Sequence, residues 1–417
     1  MQRKRLLITI GAVLVALLIV SAAISIVTFR FLNLFSGYRP PPTPPELRQA
    51  RIVTGEGFLA RTQFLRTRQS LLATIEQSDI GTIEDIAVGE FDPLPGLDVV
   101  VAGRYGAVIV DRHGSRQSVV GYDFEMEEHK LGPFTSDGAR RMLGDIQIVD
   151  IEGDGVSEYL GTGSIDGVAV FDHQGKRLWS IASPDDYDAS VRNVTIGDLN
   201  GDGIAEFVGS RNGIEAFDRS GKTIWRQQLQ FSPSHLAVVD VDGDGKNEIV
   251  TGDGNLTIRD ANGKELRSVE LPVYPSSFSL CRRPDQKVPN LIEVEHGYLW
   301  LIDFTGGTVA KFPAPLSTFD DPHQEPLVGT ITTSAYRAKG VWLKLQPDQP
   351  EYLAVVTQFA GLKRSVLYVY SGTGALVYQE ILPEQSTSIA VLPSEKSGEA
   401  GRLLVGGAET LWSYSAK

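Results

Sequence analysis

The sequence predicts an all-β fold, a β-propeller of seven four-stranded blades behind one N-terminal transmembrane helix, and three observations carry that expectation. An acidic loop between two short apolar runs recurs with its first aspartate at Asp150, Asp198 and Asp240, and these spacings of 48 and 42 residues match one four-stranded blade. Weaker copies of the same pattern fill the rest of the chain from about residue 70. Ahead of them lies an uncharged apolar run, Leu6 to Phe29. At 417 residues the chain exceeds what one simple core usually supports, so it needs a modular architecture. Its 43 glycines and 42% hydrophobic content suit a turn-rich β protein and exclude disorder for most of the chain.

The apolar run is 24 residues long, enough for a helix to cross the hydrocarbon core. Arg3, Lys4 and Arg5 precede it and only Arg30 follows closely, so the positive-inside bias keeps the N-terminus cytoplasmic and exports everything after it. A cleaved signal peptide is the rival reading, with small residues from Ser21 to Ala23, although its apolar region spans only about 7 to 15 residues. Residues 1–38 are therefore read as a cytoplasmic tip and transmembrane signal anchor. Residues 39–69 form a stalk that opens with RPPPTPPE, whose consecutive prolines favour a stiff extended spacer, and continues through Arg48, Arg51, Arg61, Arg66 and Arg68. The propeller takes residues 70–417. Setting aside Arg3, Lys4, Arg5 and Arg30 from the 39 bases leaves 35 against 52 acids, so nucleic acid is not an expected partner of the exported part. The single cysteine, Cys281, permits no intrachain disulfide and no cysteine zinc site, and its isolation fits a bacterial envelope, periplasmic or extracellular.

Within each clear copy the order is strand, acidic loop, strand, hairpin, strand, turn, strand. The hairpins fall at Asp166-Gly167, Asn212-Gly213 and Asp253-Gly254, and the later turns at Gly175-Lys176, Gly221-Lys222 and Gly263-Lys264. Fourth strands read RLWSI, TIWRQ and ELRSV. The weaker copies begin near IEDIAVGEFD, SFSLC, GVWLKLQ and SIAVLPS, which brings the count to seven. The last unit stops at Lys417 after three strands, whereas SLLATI, residues 70–75, stands before the first unit without partners. The expectation is that 70–75 pairs near Leu411 to Ser415, completes the last blade and closes the ring, protecting edges that otherwise template aggregation.

The three loops read DIEGDGVSE, DLNGDGIAE and DVDGDGKNE, with aspartate at positions 1 and 5, glycine at 4 and 6, and glutamate at 9. Calcium takes about six to eight hard oxygen ligands, and side chains at alternating positions of a tight loop converge on one point. Glycine permits the turn. A backbone carbonyl at position 7 leaves Val156, Ile204 and Lys246 free to differ. An EF-hand is the competing reading, but it wants glutamate at position 12, where Gly161, Gly209 and Thr251 stand. Asp-Gly pairs also make plain hairpin turns. Three such loops in register, with eleven carboxylates that repel one another unless neutralised, argue instead for a cation.

Strands, spacing and loops together resemble the FG-GAP or VCBS-type repeats of integrin α-subunit propellers and their bacterial relatives, whose loops bind calcium. The resemblance spans roughly residues 70–417 and weakens after about residue 275, where RRPDQKVPN, LQPDQPE and PSEKSGEAG lack the ligand set. It implies about three structural calcium ions. The implied ligands are Asp150, Glu152, Asp154 and Glu158; Asp198, Asn200, Asp202 and Glu206; and Asp240, Asp242, Asp244 and Glu248. In the first unit PLPG interrupts the pattern between Asp92 and Asp98, and no metal is expected there. The Asp198 loop is expected to bind least tightly, because Asn200 replaces an acid.

No catalytic residues are assigned. His113, His129, His173, His235, His296 and His323 lack metal-ligand spacing, and Cys281, in the strand-like run SFSLC, reads as a buried small hydrophobe. Trp179 and Trp225, in GKRLW and GKTIW, also resemble a pattern of quinoprotein dehydrogenase and outer-membrane assembly propellers, but packing between blades explains them. The expected function is a non-enzymatic binding or adhesion module, with a propeller enzyme, a polysaccharide lyase or a quinoprotein-like dehydrogenase, as the alternative. A protein or glycan partner is expected on the face of the inter-blade connectors 121–141, 183–189 and 317–337, with Tyr122, Phe124, Tyr187 and Phe319 as anchors among acids.

Overall fold

A computed structural model describes residues 53–67, 80–89, 91, 96–115, 117–122, 143–151, 156–163, 167–181, 191, 193–230, 232–275, 277–295, 297–316, 335–345, 350–359, 364–386, 388–394 and 401–417. The membrane run Leu6 to Phe29, the proline-rich spacer and the 70–75 segment lie outside these residues. Among the described residues no helix is long and apolar enough to cross a membrane.

The described strands form seven antiparallel sheets, the seven blades expected from the repeats. Blade one holds Ile83–Gly89, Asp98–Gly103, Gly106–Asp111 and Gln117–Gly121. Blade two holds Leu143–Val149, Glu158–Gly163, Gly167–Phe171 and Arg177–Ile181, and blade three Val194–Gly197, Glu206–Ser210, Gly213–Phe217 and Thr223–Gln228. Blade four follows with His235–Val239, Glu248–Asp253, Asn255–Arg259 and Glu265–Val269, and blade five with Ser279–Cys281, Asn290–Glu295, Tyr298–Ile302 and Thr308–Pro313. Blade six holds Ala335–Leu343, Tyr352–Phe359, Ser365–Ser371 and Leu376–Leu382, with Val53–Thr54 added outside as a fifth strand. Blade seven takes Ser388–Leu392, Arg402–Gly406 and Thr410–Ala416 from the C-terminus and Leu59–Arg66 from the N-terminal side.

Both faces of every blade are covered, which explains why second and third strands read as unbroken apolar runs instead of alternating. In blade one, Val99 and Val101 face blade seven, while Val100 and Ala102 face blade two. In blade four, Ile249 faces blade three and Val250 faces blade five. The buried apolar clusters accordingly fall one between each adjacent pair of blades, and Ile80, Ile83 and Val99 packed with Leu392, Leu404 and Leu411 close the ring between blades seven and one. Cys281 is 2% exposed in the cluster between blades five and six, and burial pushes its thiol up to about 12, so it is a packing residue as expected.

Ring closure follows the expected principle with a different strand. The partner of Thr410–Ala416 is Leu59–Arg66, with Leu59 opposite Ala416 and Arg66 opposite Thr410, so the place assigned to 70–75 is already filled. The segment expected to belong to the stalk thus enters two blades, first capping blade six and then completing blade seven. Leu59, 4% exposed in the cluster between those blades, anchors the crossing.

The turns between third and fourth strands share one construction. Asp172, Asp218, Asp260 and Asp303 each accept two backbone N–H bonds, from the residues two and four positions on, and Asp111 does the same in blade one. The glycine three positions after each aspartate donates to its carbonyl and has a positive φ. These turns also meet the neighbouring blade. Trp179 lies against Gly221 and edge-on to Phe207, and Trp225 lies against Gly263 and donates from Nε1 to Ala261 O at 3.0 Å. The tryptophans therefore sit between blades, as expected. At Gly263, with φ +80, an added Cβ meets Trp225 and Gln227 Oε1 at 2.8 Å. Gly263→Ala is expected to lower stability by about 1–2 kcal/mol from the left-handed backbone alone, read as a lower urea midpoint; an unchanged midpoint counts against this account of the turn.

Candidate metal centre

The acidic loops join the first and second strands of their blades, which run antiparallel, so the loops lie at one end of the ring with the Asp turns. In blades three and four the loop is a short reversal that only glycine relaxes. Gly201 and Gly203 in blade three and Gly243 and Gly245 in blade four have φ between +78 and +88, and at Gly201, Gly203 and Gly245 an added Cβ meets nothing within 4 Å. The requirement for glycine there is therefore conformational, not one of space.

In blades three and four the first aspartate organises the loop through backbone N–H donors. In blade three Asp198 Oδ1 accepts from Gly201 N at 2.7 Å and Oδ2 from Gly203 N at 2.8 Å. In blade four Asp240 accepts from Gly243 N at 2.6 Å and Gly245 N at 2.9 Å. Burial is the largest single influence on Asp240 and pushes its pKa up, but the N–H groups of Gly243, Gly245, Asp242 and Asp244 together hold it below its ordinary value. Carboxylates gathered on one tight loop are a donor set for a hard cation. In blade four, oxygens of Asp240, Asp242 and Asp244 all lie within 4.8 Å of one another.

Position 9 has a second role that the sequence reading did not assign. Glu206 Oε2 accepts from Leu199 N at 2.8 Å, Glu158 Oε2 from Ile151 N at 2.8 Å, and Glu248 Oε2 from Val241 N at 3.1 Å. Asp98 does the same for Phe91 N at 3.2 Å in blade one, where no metal set is expected. The acid therefore clasps the loop entry seven residues back, and the shared spacing, which also picks out Asp98, is the signal that could have revealed it. Burial first, then Asp202 and Asp198, raises the Glu206 carboxyl above its usual range. Burial, then Asp242, Asp244 and Asp240, does the same for Glu248. That repulsion is what a bound cation removes.

The three loops differ in what is assembled. Blade four brings together Asp240, Asp242 and Asp244, with Glu248 outside that trio. In blade three Asn200 donates from Nδ2 to Glu206 Oε1 at 2.9 Å, a hydrogen bond where a fourth acid would have repelled the carboxylate. In blade two Asp150 and Glu158 are described, while Glu152 and Asp154 lie outside the described residues, as does Asp92 in blade one. Asn247 joins neighbouring loops, donating from Nδ2 to Asp198 O at 2.8 Å.

The connector residues 123–142, 182–190 and 317–334 lie outside the described residues, together with Phe124, Tyr187 and Phe319. Tyr122 is described and corrects the expectation: it is 7% exposed, stacked on Phe171 at 5.0 Å and packed on Tyr159 at 5.4 Å, so it belongs to the core between blades one and two and is no anchor for a partner. The central channel contains a cavity of about 580 Å³ bounded by first strands of all seven blades. Glu84, Arg337 and Lys339 are among its lining residues; Glu84 pairs with Arg104 at 2.8 Å, and Lys339 reaches Asp85 at 4.0 Å, where burial still raises the Asp85 carboxyl above its ordinary value.

No protein-family profile matches the chain, and no curated protein matches it. Solved structures do. BBS1N in complex with ARL6DN is 12% identical, covering 82% of this chain and 95% of that one, with a TM-score of 0.50. Raptor from Chaetomium thermophilum is 11% identical over 87% of this chain and 29% of its own, with a TM-score of 0.51. BamB from Moraxella catarrhalis is 15% identical over 80% of this chain and 85% of its own, with a TM-score of 0.43. At these identities the likeness to the first two establishes the fold alone, and with the seven sheets it makes the chain a seven-bladed β-propeller.

Proposed function

We propose that this propeller is a calcium-stabilised, non-enzymatic binding module of the FG-GAP or VCBS type, anchored by Leu6 to Phe29 and displayed outside a bacterial membrane to bind a protein or glycan on its connector face. The observation that carries the calcium reading is the convergence of Asp240, Asp242 and Asp244 on one point of a glycine-turned loop. Those three residues and Glu248, with the carbonyl of Lys246 and water, are the donors for one ion in blade four. Asp198, Asn200, Asp202 and Glu206 hold a second, and Asp150, Glu152, Asp154 and Glu158 a third. Bound calcium screens the carboxylates and fixes the loops at one end of the ring, leaving the connector end to recognition.

Calorimetric titration of the full chain with calcium tests this reading. Saturable binding with a rise in thermal midpoint is expected, worth about 2.7 kcal/mol per site at free calcium a hundredfold above its dissociation constant and reversed by a chelator. Asp244→Ala should remove the tightest site and Asp202→Ala the weakest. The reading fails if calcium leaves the midpoint unmoved, or if losing Asp202 removes the tightest site.

A further inference from the structure

The outermost strand of a blade has one unpaired edge. In blades two to six that strand carries a β-bulge at a repeated position, and the extra residue is apolar every time: Leu178, Ile224, Leu266, Val309 and Val377. Four of them are exposed, at 48%, 52%, 56% and 49% in chain order. Val377 is partly buried, and what lies across it is the chain's own Val53–Thr54 strand. That strand pairs antiparallel with blade six, Val53 opposite Glu380 and Thr54 opposite Gln379, and Val53 and Val377 both pack on the cluster between blades six and seven. Gly55 then passes the bulge at φ +77, where any Cβ would collide with the carbonyl oxygen of Val377. The blade-six edge thus shows what the shared bulge accepts: an extended segment with β-branched residues, ending in a glycine that clears the bulge carbonyl.

A bulge also protects an edge from chance pairing, but protection alone gives no reason for an exposed apolar residue at the same place in successive blades. Blade five is less open than its neighbours, because Lys311 reaches over Tyr298 and Trp300 at 4.0 Å from each ring and Pro313 ends the strand. We propose that the outer edges of blades two, three and four bind an extended segment of a partner protein as a fifth antiparallel strand, with a sequence like Val53-Thr54-Gly55. Main-chain hydrogen bonds supply attraction, and the apolar bulge residue supplies selectivity. This surface lies on the rim and does not depend on the calcium reading.

The probe is a fluorescent peptide of residues 50–58, ARIVTGEGF, titrated by anisotropy against the full chain. Saturable binding is expected. The variant Leu178→Lys, Ile224→Lys, Leu266→Lys should raise its Kd at least tenfold with an unchanged melting curve, and a peptide with valine in place of its first glycine should bind at least tenfold more weakly to the unaltered chain. Absence of binding overturns the proposal. So does unchanged binding to the triple variant, which reports displacement of the chain's own strand from blade six. Self-association of the chain that the triple variant abolishes also overturns it, by assigning the edges to a second copy.

Discussion

A chain trimmed to begin at residue 68 is expected to aggregate or remain unfolded, whereas one beginning at residue 52 should melt with the full chain. The difference is the pair of strands Val53–Thr54 and Leu59–Arg66, which are far from the C-terminus in sequence but complete its blades. Removing Leu59–Arg66 strips one side of Thr410–Ala416 of partners from Thr410 to Ala416. It leaves a long edge carrying Leu411, Trp412 and Tyr414, all 5% exposed or less in the intact ring. Such an edge is a template for pairing with another chain. The loss is also one of closure: in a ring, blade seven is held from both sides only while its own sheet is whole, and its contacts with blade one seal the circle. Size-exclusion chromatography and thermal melts of the two trimmed chains decide the matter, and a monomeric 68–417 chain with an unchanged melting midpoint contradicts this account of closure.

Why the sequence points to the right closure but the wrong strand is a matter of which faces are buried. A second or third strand is covered on both sides and announces itself as an apolar run, as in DVVVAG of blade one or GIEAF of blade three. The closing strand, LARTQFLR, is outermost, half exposed and rich in arginine, so by hydrophobic pattern it reads as stalk, while SLLATI looks more like a strand. The repeats themselves were legible, because blades one to five use the same turn chemistry at the same place, and glycine and aspartate leave few alternatives at those turns. The loop glycines and the first aspartates were legible for the same reason. Tyr122 was not: its burial depends on Tyr159 and Phe171 of the next blade, contacts across a connector that no local pattern encodes. The clasp made by Glu206 and by Asp98 was hidden because a calcium ligand and a loop clasp call for the same residue at the same place.

Glu380→Ala is expected to destabilise the protein by about 3–5 kcal/mol, the range for removing one partner of a buried ion pair. Glu380 is fully buried on the Leu376–Leu382 strand of blade six, yet most of its partners belong to blade seven. Its Oε2 accepts from Tyr378 OH at 2.8 Å and from Tyr414 OH at 3.0 Å, while Oε1 lies 3.0 Å from Arg61 Nη1 on the closing strand. Burial first, and then the Glu380 charge, holds the Tyr414 hydroxyl well above its ordinary value, which keeps its proton available for the hydrogen bond to Glu380. Arg61 also lies over the Trp412 ring, 5.7 Å from its centroid, with its side chain only 20% exposed. One carboxylate thus joins blade six, blade seven and the strand that closes the ring. Alanine removes the acceptor of two tyrosines and strands a largely buried guanidinium, and the stranded charge accounts for most of the loss. Arg61→Met in the Glu380→Ala background should therefore recover part of the stability, because it takes away the unpaired cation while keeping the aliphatic cover on Trp412. Urea unfolding of the two single variants and the double variant measures the coupling. If Glu380→Ala unfolds at the same midpoint as the parent, or if adding Arg61→Met deepens the loss by its full single-variant effect, the carboxylate does not hold the closing strand.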